Sequence, residues 1–503
     1  MLSARPRSPS SPSTQPSAVI LAAAILAATA WAASASVPSM YVVDFLAPAS
    51  WGTDINEQGV VVGERSIDTG CDPSCVEVPT EVGVWSGDTF AALPTLPQWI
   101  YIDVRGISAG GWVAGTASWS GDIRAIVWKP NGTGGYEIIE LGDLPDTDYS
   151  EAVGIDDSDR VVGYSYRLSP TRYKGFVWSE TEGLVDVVEH GFPDYVPLAV
   201  SSGGTVAYLW GWYQLDVPGV AYENTAPPSG FSGPGFYVAI NDAGDQLRLL
   251  GPSSGESIYY PFRYYNTGEW QFLETGGHDL SPDIGSVTSD IDISVSLLHS
   301  GLIAPGPAQP AESLTDRLSP AYGDATAYEA GAMTENGQMV ARLNIGLAPR
   351  LVRLVPAEPC AGSCLEVESL ELLAQFVEDP NDPGRCTDVA YTHAVVDVRV
   401  VDENGDPVEQ VNVAGRFLTV YRLDRAVEQM TDSDGRAHFE YQGAACTGAM
   451  TFLVTQALKP GYHFDRTVGT LQRWMIPVAA GPPTIFVDGF ESGDTTAWSQ
   501  TTP

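Results

Sequence analysis

Acidic residues at alternate positions are the side chains of this sequence whose types and spacing could do chemistry. Three sets share the pattern: Asp156, Asp157 and Asp159; Asp290 and Asp292; and Asp402, Asn404 and Asp406. Carboxylate and amide oxygens at this spacing are ligands that Ca²⁺ can use. The same residue types also favour tight turns, because their side chains accept hydrogen bonds from nearby backbone N–H groups.

The strongest calcium candidates are the three residues at positions 402, 404 and 406. The twelfth position of that loop is Val413, where an EF-hand has a bidentate glutamate. A turn is therefore the favoured interpretation of all three sets, and calcium remains the open alternative.

Two other patterns that could indicate catalysis or metal binding lack the neighbouring sequence that such sites need. Residues 251–255 match the G-x-S-x-G pattern of a nucleophile elbow, which needs a strand, a turn and a helix in that order. No helical pattern follows them. The six histidines form no H-E-x-x-H motif and no pair four residues apart. We predict no catalytic residue and no cofactor other than the open calcium alternative.

The charge balance restricts the classes of partner. The chain has 503 residues, with 25 Lys and Arg against 63 Asp and Glu, which gives a formal net charge of −38. Nucleic-acid binding depends on basic residues that neutralise phosphates, so this balance argues against it. Anionic membrane surfaces are disfavoured for the same reason. A cationic partner or a divalent cation would be compatible.

The N-terminal segment predicts export. Arg5 and Arg7 precede an apolar run at residues 18–31 and the small residues Ala33, Ser34 and Ala35. This is the pattern of a secretory signal peptide cleaved after residue 35. No later stretch is apolar enough to span a bilayer, so we expect a mature protein without a transmembrane segment, located in the periplasm, outside the cell or at its surface.

Six cysteines in an exported chain predict disulfides. Two pairs, Cys71 with Cys75 and Cys360 with Cys364, are each separated by three residues and would close small loops. That leaves Cys386 to pair with Cys446. Zinc binding is the alternative for the closely spaced pairs, but no further cysteine or histidine lies at zinc-site spacing.

A hairpin pattern recurs through most of the chain and must position any site. Its clearest copy, residues 152–163, has a strand, a turn at 156–159 and a return strand. The equivalent apolar positions are Ile55, Ile107, Ile155, Val200, Ile240, Val287 and Met333. An aromatic marker follows most of them: Val84-Trp85, Val127-Trp128, Val177-Trp178, Ala221-Tyr222 and Phe262-Arg263-Tyr264.

Each repeat of about 40–50 residues therefore holds four strands. About seven such units predict a β-propeller, in which blades bury their apolar faces against their neighbours. The aromatic markers are best explained as packing between blades. Residues 40–45 precede the first repeat, and we expect them to close the ring by pairing with the seventh copy, beside residues 338–343 or 351–355.

The repeat resembles that of the bacterial extracellular HAF repeat proteins, which combine an I-N-x-x-G-x-V-V-G-like hairpin with an A-F-L-W-like strand. The matches lie at residues 55–63, 240–244 and 175–178, and the resemblance covers about residues 51–355. It implies a propeller-like fold and export, and no agreed reaction. Ser201 and Ser289 stand where asparagine is usual.

The pattern changes after Pro356. Strands alternate with turns, as in a β-sandwich, although residues 365–377 also have apolar positions at helical spacing. Residues 398–408 and 431–435 resemble the bacterial immunoglobulin-like modules of secreted enzymes and adhesins. We predict a signal peptide at 1–35, a propeller at 36–358, an immunoglobulin-like sandwich at 359–478, and a tail at 479–503 that contains Gly-Phe-Glu-Ser-Gly-Asp.

Two functions fit this organisation. The first is an exported, non-enzymatic binding or surface protein whose propeller face recognises extracellular carbohydrate or protein. The alternative is a secreted propeller enzyme, a glycosidase or lyase, with paired carboxylates near the central channel. Carboxyl groups about 5–10 Å apart across the channel mouth would favour the enzyme.

Overall fold

The computed structural model describes residues 38–48, 50–66, 80–87, 89–253, 260–264, 267–272, 292–297, 300–305, 312–334, 336–346, 348–377, 391–419, 424–443 and 449–479. Strands form the secondary structure of these residues, together with two short 3-10 helices at Leu314–Arg317 and Pro320–Tyr322. The predicted all-β class is confirmed. No helix in the described ranges is long and apolar enough to cross a membrane. The predicted signal peptide lies outside these ranges.

Seven small antiparallel sheets form the blades of a propeller, and the first strands of neighbouring blades lie side by side around the axis. The first five blades have four strands each: β2 (Trp51–Ile55), β3 (Val61–Ser66), β4 (Thr80–Ser86) and β5 (Thr89–Ala92); β6 (Tyr101–Ile107), β7 (Val113–Trp119), β8 (Asp122–Pro130) and β9 (Tyr136–Gly142); β10 (Tyr149–Ile155), β11 (Val161–Leu168), β12 (Thr171–Ser179) and β13 (Gly183–Asp186); β14 (Pro197–Val200), β15 (Thr205–Tyr208), β16 (Gly211–Gln214) and β17 (Ala221–Glu223); and β18 (Phe231–Ile240), β19 (Gln246–Pro252), β20 (Tyr260–Tyr264) and β21 (Trp270–Phe272).

The last two blades differ from this plan. The sixth has three described strands, β22 (Asp292–Leu297), β23 (Ser300–Pro305) and β24 (Glu312–Ser313). The seventh combines β25 (Thr326–Met333), β26 (Met339–Ile345) and β27 (Ala348–Pro356) with the N-terminal strand β1 (Tyr41–Pro48).

Three of the aromatic markers, Trp85, Trp128 and Trp178, pack between blades as the sequence predicts. The marker Tyr222 does not, because it is 45% exposed on the outermost strand β17. Trp128 is fully buried in one apolar cluster with Val62 and Val84 of the preceding blade. Its indole nitrogen donates to the carbonyl oxygen of Pro94 at 2.8 Å. Phe176 and Trp178 fill the equivalent space between blades 2 and 3. Burial of these large rings supplies the apolar area that a single blade cannot bury alone.

The ring closes through the N-terminal strand. β1 pairs antiparallel with β27, with Tyr41 opposite Pro356 and Phe45 opposite Val352. The prediction that residues 40–45 pair beside residues 351–355 is confirmed. Leu46 of β1 packs with Ile55 and Trp85 of blade 1 and with Val340 of blade 7. Closure therefore joins the first and last blades by both hydrogen bonds and core packing.

The C-terminal part forms a β-sandwich of two sheets. One contains β28 (Cys364–Val377), β29 (Tyr391–Asp402), β32 (Arg436–Gly443), β34 (His463–Phe464) and β36 (Val478–Ala479), and the other contains β30 (Asn412–Thr419), β31 (Asp424–Met430), β33 (Met450–Leu458) and β35 (Gln472–Met475). Phe439 of one sheet packs on Phe452 of the other, with ring centroids 5.1 Å apart. Residues 365–377, which also fit a helix in sequence, are strand. The immunoglobulin-like identity and the module boundaries remain predictions.

One disulfide lies in the described chain. Cys360 is bonded to Cys364 where β28 begins, as predicted. The predicted partners Cys71 with Cys75 and Cys386 with Cys446 lie outside the described residues. The tail lies outside them too, apart from residue 479.

Asp44 joins the closing strand to both the last blade and the sandwich. Its Oδ2 accepts from Arg353 Nη2 of β27 at 2.6 Å, and its Oδ1 accepts from Arg466 Nη1 of the sandwich at 2.7 Å. Arg466 also donates to the carbonyl oxygen of Val43 and to the hydroxyl of Tyr322. Burial raises the pKa of Asp44, but the charges and hydrogen bonds of the two arginines outweigh it and hold the pKa below its usual range.

Replacing Asp44 with alanine should lower the free energy of unfolding by about 2 kcal/mol, because two partly buried guanidinium groups lose their counter-ion. Chemical denaturation measures this loss. Glu180→Ala is the matched control, since Glu180 forms a more exposed ion pair with Lys129 and should cost less than about 0.5 kcal/mol. Equal effects of the two substitutions would show that the contact at Asp44 does not stabilise ring closure.

Candidate functional site

The predicted turn tetrads lie together at one end of the channel. Each follows the innermost strand of its blade, and we call their described residues the turn ring: 56–59, 108–111, 156–159, 201–204, 241–244, 334 and 336–337. The sixth copy of the tetrad, at 288–291, lies outside the described residues. The first residue of each described tetrad is buried.

Each of these buried residues closes its own turn. Its side-chain oxygen accepts from the backbone N–H four residues later: Asn56 from Val60 at 3.0 Å, Ser108 from Trp112 at 3.2 Å, Asp156 from Arg160 at 2.8 Å, Ser201 from Thr205 at 2.9 Å, Asn241 from Asp245 at 2.8 Å and Thr334 from Gln338 at 2.9 Å. Asparagine, aspartate, serine and threonine are interchangeable here because each offers a short-stemmed oxygen. Ser201, which departs from the asparagine pattern, therefore still closes a turn.

The turn ring also links neighbouring blades. Asn56 Nδ2 donates to the carbonyl oxygen of Ser108 at 2.9 Å, and the backbone N–H of Ala109 donates to Asp157 Oδ1 at 2.6 Å. The N–H of Gly203 donates to Asp242 Oδ1 at 2.7 Å. The acidic residues of the turn ring are therefore used within the fold, in line with the turn interpretation.

The calcium candidates of the sandwich show the same local use. Asp402 Oδ1 accepts from the N–H groups of Asn404 at 2.8 Å and Asp406 at 3.0 Å. These backbone hydrogen bonds lower the pKa of Asp402. Within the described ranges, no group of three or more His, Cys, Asp or Glu side chains could hold a metal ion. Calcium binding stays a prediction, and its Asp290 lies outside those ranges.

The opposite end of the channel carries exposed aromatic rings. Because the innermost strands of the six blades with a described tetrad end at the turn ring, their first residues lie at the other end, which we call the channel mouth. Trp51, Tyr101 and Tyr149 begin the innermost strands of blades 1, 2 and 3. Trp51 is 46% exposed and Tyr101 is 74% exposed. Tyr195, two residues before β14, is 42% exposed.

Charged groups from three blades accompany these rings. Asp103 and Arg105 of blade 2 form an ion pair at 2.6 Å. Burial raises the pKa of Asp103, Arg105 lowers it, and the charge of Glu151 in blade 3 raises it further. In blade 1, burial raises the pKa of Glu64, a hydrogen bond with Thr80 lowers it, and the charge of Asp103 raises it. Asp103 is thus close enough to Glu64 and to Glu151 for the negative charges to repel in each of these two pairs.

Tyrosines surround Glu151. The hydroxyl of Tyr164 donates to Glu151 Oε2 at 2.9 Å, and Tyr166 stacks on Tyr173 with ring centroids 5.5 Å apart. Burial, and then the charge and hydrogen bond of Glu151, raise the pKa of Tyr166 to about 12. The same causes raise the pKa of Tyr164. Both hydroxyls therefore stay protonated at neutral pH and act as hydrogen-bond donors.

A β-bulge recurs in the innermost strand of the first five blades, two residues before the apolar position that precedes each turn. The residues left without a partner in the pairing are Thr53, Arg105, Val153, Leu198 and Val238. A bulge redirects the side chains of its strand. In blade 2 the residue at this position is charged, so the fold presents Arg105 beside Asp103.

The channel mouth was not predicted. The acidic sequence pattern indicated turns, whereas the mouth combines Trp51, Tyr101 and Tyr149 with carboxylates two residues after the two tyrosines. The available signal was an aromatic residue four to six positions before the apolar repeat positions Ile55, Ile107 and Ile155. The aromatic markers that define the blades lie later in each repeat, so they do not point to this end.

Comparisons with known proteins assign this chain to no family. No protein-family model matches the chain, and no curated protein matches it. Among solved structures it is similar to the Dos1 propeller (12% identity, TM-score 0.34, covering 55% of this chain and 74% of that one) and to puromycin hydrolase (12%, 0.39, 73% and 62%). It is also similar to PQQ-bound aldose sugar dehydrogenase from Streptomyces coelicolor (11%, 0.29, 63% and 99%). The resemblance to HAF repeat proteins stays a prediction.

Asp54 lies on the innermost strand β2 and joins blade 1 to blade 2. Its Oδ1 accepts from the N–H of Ile55 at 2.8 Å and its Oδ2 accepts from the N–H of Ile107 at 2.9 Å. Burial raises its pKa to about 7, although both hydrogen bonds act to lower it, and the charge of Asp157 adds to the rise. A carboxyl with a raised pKa favours folding most when it is protonated.

Asp54→Asn should therefore remove a pH dependence of stability. Between about pH 4 and pH 7 the folded chain holds a proton that the unfolded chain releases, so the free energy of unfolding falls as the pH rises through this window. Above about pH 7 this carboxyl makes the free energy of unfolding change no further with pH. Denaturation from acid to alkaline pH should show Asp54→Asn gaining stability over the natural chain as the pH rises. Asp434→Asn, at an exposed turn, is the control, and parallel profiles for all three chains would contradict the raised pKa.

Proposed function

We propose that the channel mouth binds extracellular carbohydrate and that the protein is an exported binding or surface protein. The observation that supports this most is the pair of exposed aromatic residues, Trp51 and Tyr101, at the starts of the innermost strands of blades 1 and 2, beside carboxylates and tyrosine hydroxyls. An exposed tyrosine such as Tyr101 offers an apolar face for stacking, and its neighbours Asp103 and Arg105 offer an acceptor and donors. Aromatic walls with a few placed polar groups are typical of ligand sites.

Export is part of the same proposal. The signal-peptide pattern at residues 1–35 supports it, and the disulfide between Cys360 and Cys364 is compatible with an oxidising compartment. We further propose that the repeats belong to the HAF group and that the sandwich is an immunoglobulin-like module. In that arrangement the sandwich is an accessory domain fixed beside blade 7.

Carbohydrate is favoured over protein as the ligand because of the chemistry at the mouth. Asp103, Arg105, Glu151 and the Tyr164 hydroxyl offer donors and acceptors on neighbouring strands, where a hydroxyl-rich chain can use them. A protein interface would instead centre on a broad apolar patch with a polar rim. A protein ligand becomes the alternative outcome of the binding test.

Tyr101→Ala should weaken glycan binding about tenfold or more, because loss of one stacked ring costs about 1–2 kcal/mol. Binding to an array of neutral, acidic and amino-bearing glycans measures this, with titration calorimetry on the glycans that bind. Tyr222→Ala is the matched control: Tyr222 is 45% exposed but lies on β17, at the outer edge of blade 4. Equal affinity of the natural chain and Tyr101→Ala would place the binding site elsewhere.

A glycosidase or lyase is the second candidate, and one observation favours it. Burial and the charge of Glu151 raise the pKa of Asp103, and a raised carboxyl pKa is the direction that a general acid requires.

If the protein is such an enzyme, Asp103→Asn should reduce glycan cleavage at least 100-fold while leaving binding nearly unchanged. Release of new reducing or unsaturated ends from the glycans that bind measures the cleavage. If the natural chain binds glycans without cleaving them, the enzymatic candidate is wrong and only the binding function stands.

A further inference from the structure

The charges of the channel mouth distinguish among classes of glycan. Glu64, Asp103 and Glu151 come from three successive blades, and the charge of one raises the pKa of the next along this series. Arg105 is the cation paired with Asp103. Arg342 of blade 7 also reaches this end, where its guanidinium lies 4.9 Å from the ring of Trp51. The series Glu64, Asp103 and Glu151 thus contains three carboxylates, and Arg105 is the guanidinium ion-paired with its middle member.

This imbalance disfavours anionic sugars. A uronate or sulfate group placed among the three carboxylates would add a further like charge at short range, and the formal net charge of −38 would repel the polymer before contact. A cation placed there would relieve the repulsion that raises the pKa of Asp103 and Glu64.

The aromatic residues supply a second and independent preference. Tyrosine and tryptophan faces attract cations as well as apolar sugar faces, and Tyr101 and Trp51 present such faces at the mouth. A ring that carries an ammonium group can use both features at once, with its apolar face on an aromatic residue and its charge near a carboxylate.

We propose that the ligand is an amino-sugar polymer with free ammonium groups. This inference rests on the proposed carbohydrate function and narrows its ligand. Successive rings of the polymer lie along the rim from Trp51 to Tyr149, and the ammonium groups lie near Asp103 and Glu151. Glu151 acts as a specificity-determining residue, because its charge acts on Asp103 and its carboxylate accepts a hydrogen bond from the Tyr164 hydroxyl.

The test uses glucosamine oligosaccharides of one length in two forms, with free amines and fully N-acetylated, together with a uronate oligosaccharide. The free-amine form should bind about tenfold more tightly than the N-acetylated form, which corresponds to about 1.4 kcal/mol. Its affinity should fall as salt is added, because screening weakens the attraction. The uronate should not bind.

Glu151→Gln keeps the size of the side chain and an acceptor for Tyr164 but removes the charge. It should lower affinity for the free-amine form and leave affinity for the N-acetylated form unchanged. Glu180→Gln is the matched control, because Glu180 lies in the turn between β12 and β13, at the turn-ring end of blade 3, and should change neither affinity.

Two results separate the inference from the proposed function. If the N-acetylated form binds as tightly as the free-amine form and Glu151→Gln alters neither affinity, the amino-sugar inference is wrong and carbohydrate binding stands. If no glycan of any charge binds the natural chain, the proposed function itself is wrong.

Discussion

The pairing of β1 with β27 is the interaction on which the rest of the structure depends. A propeller whose first and last blades are not joined leaves two strand edges and an apolar seam open to water. Here the N-terminal strand β1 supplies the outer strand of the last blade. Asp44 on that strand accepts hydrogen bonds from Arg353 of the last blade and from Arg466 of the sandwich. The sandwich contributes the second arginine, so the C-terminal domain takes part in closing the ring.

Within the closed ring, polar turns hold the blades in register. A buried oxygen at the first position of each described tetrad closes the turn, and neighbouring tetrads exchange hydrogen bonds. This satisfies backbone groups that would otherwise be buried without partners. It also explains why an acidic sequence can place aspartates such as Asp156 in its interior, since backbone N–H groups and Arg160 surround that carboxylate.

The repeat pattern predicted much of the fold, because each copy carries its own turn chemistry and its own aromatic for the core. Ile55, Ile107 and Ile155 locate the innermost strands correctly. The bulges were not predictable, because a bulge is defined by the pairing of two strands and residues such as Arg105 carry no local mark of it. The ion pair of Asp44 with Arg466 spans 422 positions of sequence, and no local pattern links the two residues. The channel mouth was missed because its residues are neighbours only once the blades are arranged around the axis.

The position of β1 has a consequence for how the chain becomes folded. Synthesis proceeds from the N-terminus, so the first strand of the ring to be made is the last to find its partner, Arg353 being 309 residues further on. Blades 1 to 5 can form from local hairpins while β1 waits, which gives the nascent chain a long interval with an unpaired apolar strand at its leading end. Such a strand can pair with another copy of the chain as readily as with its own last blade. Accurate assembly therefore depends on the time between the emergence of the first strand and the arrival of the last blade.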